Sequence, residues 1–314
     1  MTYHPSGMLV PLVTPFTDTG EIALADLERL AHIVIDDGAA GLVALGTTAE
    51  AASLSPQERR EVVRICAAVC RERRVPLLVG AGTNDTAGTV RALDELGEQP
   101  DVTAALVVVP YYTRPTEAGV VAHFEHVADR SPVPIVLYNV PYRTGQQLGC
   151  ESIVRLAEHP RIVGIKQAVG AVDTDTARLL AERPDPFSVL AGEDTLVSPL
   201  FAMGAAGAIA ATANVYAAEF ADLFRLWRAG RVEQARDLGN RLVGPVSALM
   251  SGPNPTVIKA VLHAQGRIST PCVRLPLLPF EDTAAIHRFR ANVPFVSFNR
   301  LSDTFARKTG QGSR

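Results

Sequence analysis

Cysteine is scarce in this sequence, and none of it is arranged to staple a fold or hold a metal. The four cysteines among 314 residues, Cys66, Cys70, Cys150 and Cys272, form no CxxC pair and have no histidine at zinc-ligand spacing. That speaks against a disulfide framework and against a structural metal site. An excess of charge of one sign is missing too. With 30 Lys and Arg against 33 Asp and Glu, the formal net charge is -3, so nothing draws the chain as a whole to nucleic acid or an anionic membrane. Long apolar runs are absent: the most continuous weakly polar stretch, "SPLFAMGAAGAIAATANV", is rich in Gly and Ala and falls short of about 20 strongly apolar residues. The opening "MTYHPSGMLVPLVTPF" has no basic start and is broken by Pro5, Pro11 and Pro15, which is unlike a signal peptide. Cytoplasm is the expected location. No GxGxxG follows the first β-rich run, so a dinucleotide crevice has no support.

What the sequence does have is alternation. Eight short β-rich runs recur: "MLVPLV" from residue 8, "GLVALG" from 41, "VPLLVG" from 75, "AALVVVP" from 104, "VPIVLYN" from 133, "IVGIK" from 162, "FSVLAG" from 187 and "GAIAA" from 207. Helix-like segments separate them. One, "SPQERREVVRICAAVCRER", opens with Ser55 as cap, Pro56 at the first helical position and Glu58 where a capping box needs it. Such order implies parallel strands joined by crossover helices, and strands apolar at consecutive positions imply burial on both faces. Eight units suit a closed (β/α)8 TIM barrel of roughly 250 residues better than the alternative, an open doubly wound sheet. The expected division is a barrel over 1–229, a C-terminal helical appendix over 230–300 and a flexible polar tail over 301–314.

Active sites of such barrels gather at the carboxyl ends of the strands, so the residues just past each apolar run are the candidates. "GTTAE" follows strand two, "PYYTRP" strand four, "YNVPYRTG" strand five and "GED" strand seven, and Lys166 ends strand six. A neutral lysine amine can attack a carbonyl and form a Schiff base, an electron sink for carbon–carbon bond chemistry. Taken alone, Lys166 reads rather as a side chain snorkelling to solvent or pairing with a loop carboxylate. Tyr112, Tyr138 and Thr47 at neighbouring strand ends shift the balance, because linked hydroxyls can relay the protons a carbinolamine needs. Arg143 carries a planar fork suited to a carboxylate. Gly46, Thr47 and Thr48 precede a helix, where backbone N–H groups and small hydroxyls can receive another. Glu50 and Asp194 read as caps or salt-bridge partners, and His123 and His126 as surface residues of a helix away from the rim.

From "VPLVTPF" through "RLPLLPF" these motifs, in order and spacing, resemble the class I pyruvate-dependent lyases and aldolases, the dihydrodipicolinate synthase and N-acetylneuraminate lyase family. The resemblance implies that Lys166 of "VGIKQAVG" forms the Schiff base with pyruvate. It implies a proton relay of Thr47, Tyr112 and Tyr138, with Thr48 beside the pyruvate carboxylate and Ile209 making a backbone contact near the lysine. Tyr111 matches a tyrosine that crosses a tight-dimer interface, and Arg143 one that grips the carboxylate of L-aspartate 4-semialdehyde. A homotetramer of tight dimers follows by the same resemblance, with no organic cofactor and no metal. Five departures stand out. Ala49 replaces a glycine, Tyr142 a small residue beside Arg143, and Gln167 a glutamate beside the lysine, a lost carboxylate expected to make the neutral amine easier to keep. Arg59 and Gly88 replace a histidine and a glutamate of the lysine-feedback site, so lysine inhibition is expected to be weak or absent. Two alternatives remain: a pyruvate-dependent aldolase or hydratase-lyase for another aldehyde, such as a 2-keto-3-deoxy sugar acid, and a non-catalytic binding paralogue.

Overall fold

The computed structural model describes residues 3–282 and Ile286. All eight β-rich runs are strands: β1 Gly7–Pro11, β2 Gly41–Ala44, β3 Leu77–Gly80, β4 Ala104–Val108, β5 Ile135–Asn139, β6 Ile162–Gln167, β7 Ser188–Ala191 and β8 Gly207–Ile209. Each pairs in parallel with the next, and β8 pairs with β1 to close the barrel. Nearly every strand residue is buried, as expected of a parallel sheet walled in by helices. The interior is filled by residues from every strand, among them Leu9, Val43, Leu78, Leu106, Val136, Val163, Leu190 and Ile209, so it is a packed core rather than a pore.

Around it run α1 Leu24–Asp36, α2 Pro56–Arg73, α3 Thr86–Gly97, α4 Glu117–Arg130, the single turn α5 Pro141–Thr144, α6 Cys150–Ala157, α7 Thr174–Glu182, α8 Val197–Ala202 and α9 Ala213–Arg228. The capping box of α2 forms as its sequence dictates: Glu58 N donates to Ser55 Oγ, and Ser55 N donates back to Glu58 Oε2 at 2.8 Å. After the barrel come α10 Val232–Leu249, packed on α8 and α9, and α11 Thr256–Ala264, packed on α9. Residues Met1–Phe280 form one unit and Glu281–Arg314 a second. In the second, Ile286 N donates to Asp282 O. The tail expected over 301–314 lies outside the described residues.

One irregularity decides what faces inward. On β5 and β6, Ile135 lies opposite Ile162, but Val136 lies opposite Gly164, so one extra residue of β6 is accommodated there. Beyond the bulge Tyr138 sits opposite Lys166 and Asn139 opposite Gln167. Without it, Lys166 would pair with Asn139 and turn outward, because a slip of one residue exchanges the two faces of a strand.

Candidate active site

Lys166 is buried, with its Nζ 4.2 Å from the ring centroid of Tyr138, also buried, on the adjacent strand. Both stand at the carboxyl ends of their strands. Beyond β7, Gly192 backs onto the lysine so closely that a Cβ there would come within 2.8 Å of Lys166 Cγ. Glu193 and Asp194 follow. Burial pushes both carboxyls above the ordinary range, and the Lys166 charge opposes that rise in each. Arg143 acts on Glu193 in the same direction. Glu193 therefore feels the lysine and the arginine together. Asp194 is tied down rather than a free acid: its Oδ1 accepts from Thr212 N at 2.7 Å.

The turn after β2 has an unusual backbone. Thr47–Ala49 make one 3-10 turn between Leu45 and Glu50, each with φ of 54°, in the left-handed region that non-glycine residues visit at a cost of about 1–3 kcal/mol. Gly46, half-buried, starts the turn; Thr47 is exposed and Thr48 buried. Thr48 Oγ1 accepts from Asn254 Nδ2 at 3.1 Å. Glu50 is wholly committed. Lys259 Nζ donates to its Oε1 at 2.7 Å with both side chains out of solvent, and Arg274 N donates to its Oε2 at 3.0 Å. Burial pulls the Lys259 ammonium down to about 8, against the pull of Glu50.

The other candidates lie at the same rim without converging on the lysine. Arg143 is exposed on α5, its guanidinium 5.7 Å from the Tyr142 ring centroid. Tyr111 is 41% and Tyr112 88% exposed, and Tyr112 has φ of 71°. Among the described residues no hydrogen bond joins the hydroxyls of Thr47, Tyr112 and Tyr138. Ile209 is buried at the end of β8.

Two expectations change. His123 is buried rather than superficial: its Nδ1 pairs with Thr86 Oγ1 at 3.0 Å, its Nε2 has no partner, and burial pulls its pKa down to about 4. His126 is exposed. Gln167 does not face the lysine's side of the sheet. Its Oε1 accepts from Asn139 Nδ2 at 3.0 Å and its Nε2 donates to Thr176 Oγ1 of α7 at 3.2 Å, so it ties the sheet to the helix layer. The loss of a carboxylate at that position falls on the far face from Lys166. No motif in the sequence singles out Asn254, whereas a lone lysine inside "TVIKAVLHA" points to a buried ion pair at Lys259.

A family model described as the dihydrodipicolinate synthetase family matches residues 4–290. The 4-hydroxy-tetrahydrodipicolinate synthase of Syntrophus aciditrophicus (strain SB) is 39% identical over 280 residues, covering 88% of this chain and 94% of its own. Among solved structures, the dihydrodipicolinate synthase of Thermotoga maritima is similar with a TM-score of 0.88 and 31% identity over 92% of this chain and 98% of that one. The chloride-inhibited enzyme of Acinetobacter baumannii, complexed with pyruvate, has a TM-score of 0.86 and 34% identity over 91% and 97%.

Proposed function

We propose that this chain, which belongs to the dihydrodipicolinate synthetase family, is a lyase that condenses pyruvate with L-aspartate 4-semialdehyde to 4-hydroxy-tetrahydrodipicolinate, a step toward diaminopimelate and lysine. The observation that carries the reading is the amine of Lys166, turned into the barrel against the Tyr138 ring. Its neutral form adds to C2 of pyruvate, and loss of water gives a protonated imine. A methyl proton then leaves C3, and the enamine's C3 attacks the aldehyde carbon, whose oxygen takes a proton. The product's own amine finally adds to C2 and displaces Lys166, closing the ring. One water is released overall. The protonated imine is itself the electron sink, so no step calls for a further cofactor.

The residue roles are those the family resemblance implies, save at Tyr111 and Tyr112. Gly46 and Thr48, in the turn beyond β2, receive the pyruvate carboxylate, with Ile209 lining the floor. Arg143 at the open rim takes the carboxylate of the aldehyde substrate. Tyr138 and Thr47 move protons. Tyr112 is 88% exposed on a left-handed backbone, so we assign the crossing to a neighbouring subunit to Tyr112, with Tyr111 beside it at the contact. Tyr142 and Val172, 90% and 41% exposed, follow the adjacent strands β5 and β6, and exposed apolar side chains of this kind suit contact with a second copy. A homotetramer of such dimers in the cytoplasm completes the reading.

Borohydride reduction in the presence of pyruvate, followed by mass mapping, should place a stable adduct on Lys166. Its absence would end the lyase reading. Pyruvate consumption against a panel of aldehydes should favour aspartate semialdehyde in the wild type, and Arg143→Ala should weaken that preference at least about tenfold. Indifference to the arginine would leave the family and remove the substrate.

A further inference from the structure

The turn that presents Gly46, Thr47 and Thr48 is held both from the barrel and from the segment that follows it. Its first strained residue, Leu45, is wedged by β3: a Cβ on Gly80 would lie 2.2 Å from Leu45 O. Its middle is held by Thr14 Oγ1, which donates to Ala49 O at 2.7 Å. Its last strained residue, Glu50, is clamped by the segment that follows the barrel, through Lys259 Nζ and Arg274 N. Asn254, just ahead of α11, donates to Thr48 Oγ1 itself. Thus two contacts from one short stretch reach the same turn.

A buried ion pair is a poor device for stability alone. Taking both charges from water is costly, and apolar replacements of similar shape are often neutral or better. What a pair with additional hydrogen bonds does supply is a fixed position. Here the position fixed is a left-handed glutamate two residues from Thr48. The Lys259 ammonium also lies 4.1 Å from the Phe16 ring centroid, and the Arg274 guanidinium 4.4 Å from the same ring. Phe16 is fully buried, so the cations themselves are held in place.

We propose that Lys259, acting through Glu50, and Asn254, acting through Thr48, are positioning residues for pyruvate: the segment after the barrel sets the geometry of the turn that receives the substrate carboxylate. The inference rests on the pyruvate reading above. Neither residue is assigned contact with the reacting atoms.

The test compares Lys259→Met, the double variant Glu50→Gln/Lys259→Met and Asn254→Ala with the wild type. Thermal stability is read beside the pyruvate concentration giving half-maximal borohydride trapping of Lys166. Lys259→Met leaves a buried carboxylate without its cation and should lose Tm. The double variant leaves no unpaired charge, and its Tm should recover toward that of the wild type. Its half-maximal pyruvate concentration should nevertheless stay raised, by about tenfold or more, because the hydrogen bond that fixes the turn is still absent. Asn254→Ala should raise the same concentration at unchanged Tm, while trapping at saturating pyruvate remains complete in all three. A double variant or Asn254→Ala within about twofold of wild type would overturn the proposal, since charge balance alone then explains the pair. Because trapping uses pyruvate without an aldehyde, a wild type that forms no adduct removes the pyruvate reading. A normal wild-type adduct with unmoved variants removes only this inference.

Discussion

Gln167 and Lys166 are neighbours in sequence and strangers in space. The lysine faces the barrel interior, while the amide, fixed between Asn139 and Thr176, faces the helices. Gln167→Glu should therefore change the rate of pyruvate adduct formation by less than about threefold, as rapid-quench borohydride trapping would read, because the new charge lies across the sheet from the amine. A larger change would mean that the far face of the strand communicates with the amine. His123 offers a residue-scale prediction of the opposite kind. Burial holds its pKa near 4, below the ordinary value of about 6.5. Between those two pH values the unfolded chain binds a proton that the native state refuses, so stability falls as pH drops through that window. The loss should level off below about pH 4 and amount to about 3 kcal/mol at most. Denaturant titrations from pH 7 to 4 should show it in the wild type and not in His123→Gln. Its burial was legible: residue 123 is three from Val120 and four from Val127, on the same apolar stripe of α4. Reading histidine as a surface residue by type overrode that pattern.

At the scale of elements, strands and helices follow from the sequence with little loss, because parallel strands buried on both faces cannot avoid being continuously apolar. The candidates at the strand ends were legible for the same reason: once the strands are placed, their last residues share a rim. What sequence hides is phase and support. Nothing in "RIVGIKQAVG" marks the bulge that turns Lys166 inward, and no local pattern connects "GTTAE" to Lys259, 209 residues away. The support is nonetheless sensitive to one methyl group. Gly80→Ala places a Cβ against Leu45 O, backbone against backbone with no side chain to yield. Either β3 or the turn after β2 must move. The expected cost is on the order of 3 kcal/mol or more, measured by denaturant unfolding, with pyruvate trapping weakened in whatever fraction remains folded.

For the whole molecule, the exposed Tyr112 sets the prediction. If it serves a neighbouring subunit, a Lys166→Ala chain and a Tyr112→Phe chain are each inactive alone but complement each other when mixed and reassembled. Each mixed dimer then holds one intact site. Random reassembly should restore about a quarter of wild-type activity, since about half the dimers are mixed and each has one of its two sites whole. No recovery in a mixture that demonstrably exchanges subunits would return Tyr112 to its own barrel. Sedimentation of the wild type would show whether the species is larger than a monomer.

The bulge in β6 also says how this site could be lost without any change of chemistry. A strand has parity: odd and even positions look to different solvents, here a barrel interior and a helix layer. The extra residue near Val163 shifts the count by one. Flattening the bulge with every residue kept would leave lysine, tyrosine and threonine all present in the sequence, and Lys166 would pair with Asn139 and face the helix layer. The chain would still spell a lyase and would hold its nucleophile on the wrong side of the wall. In this molecule, activity depends on a number as well as on residues.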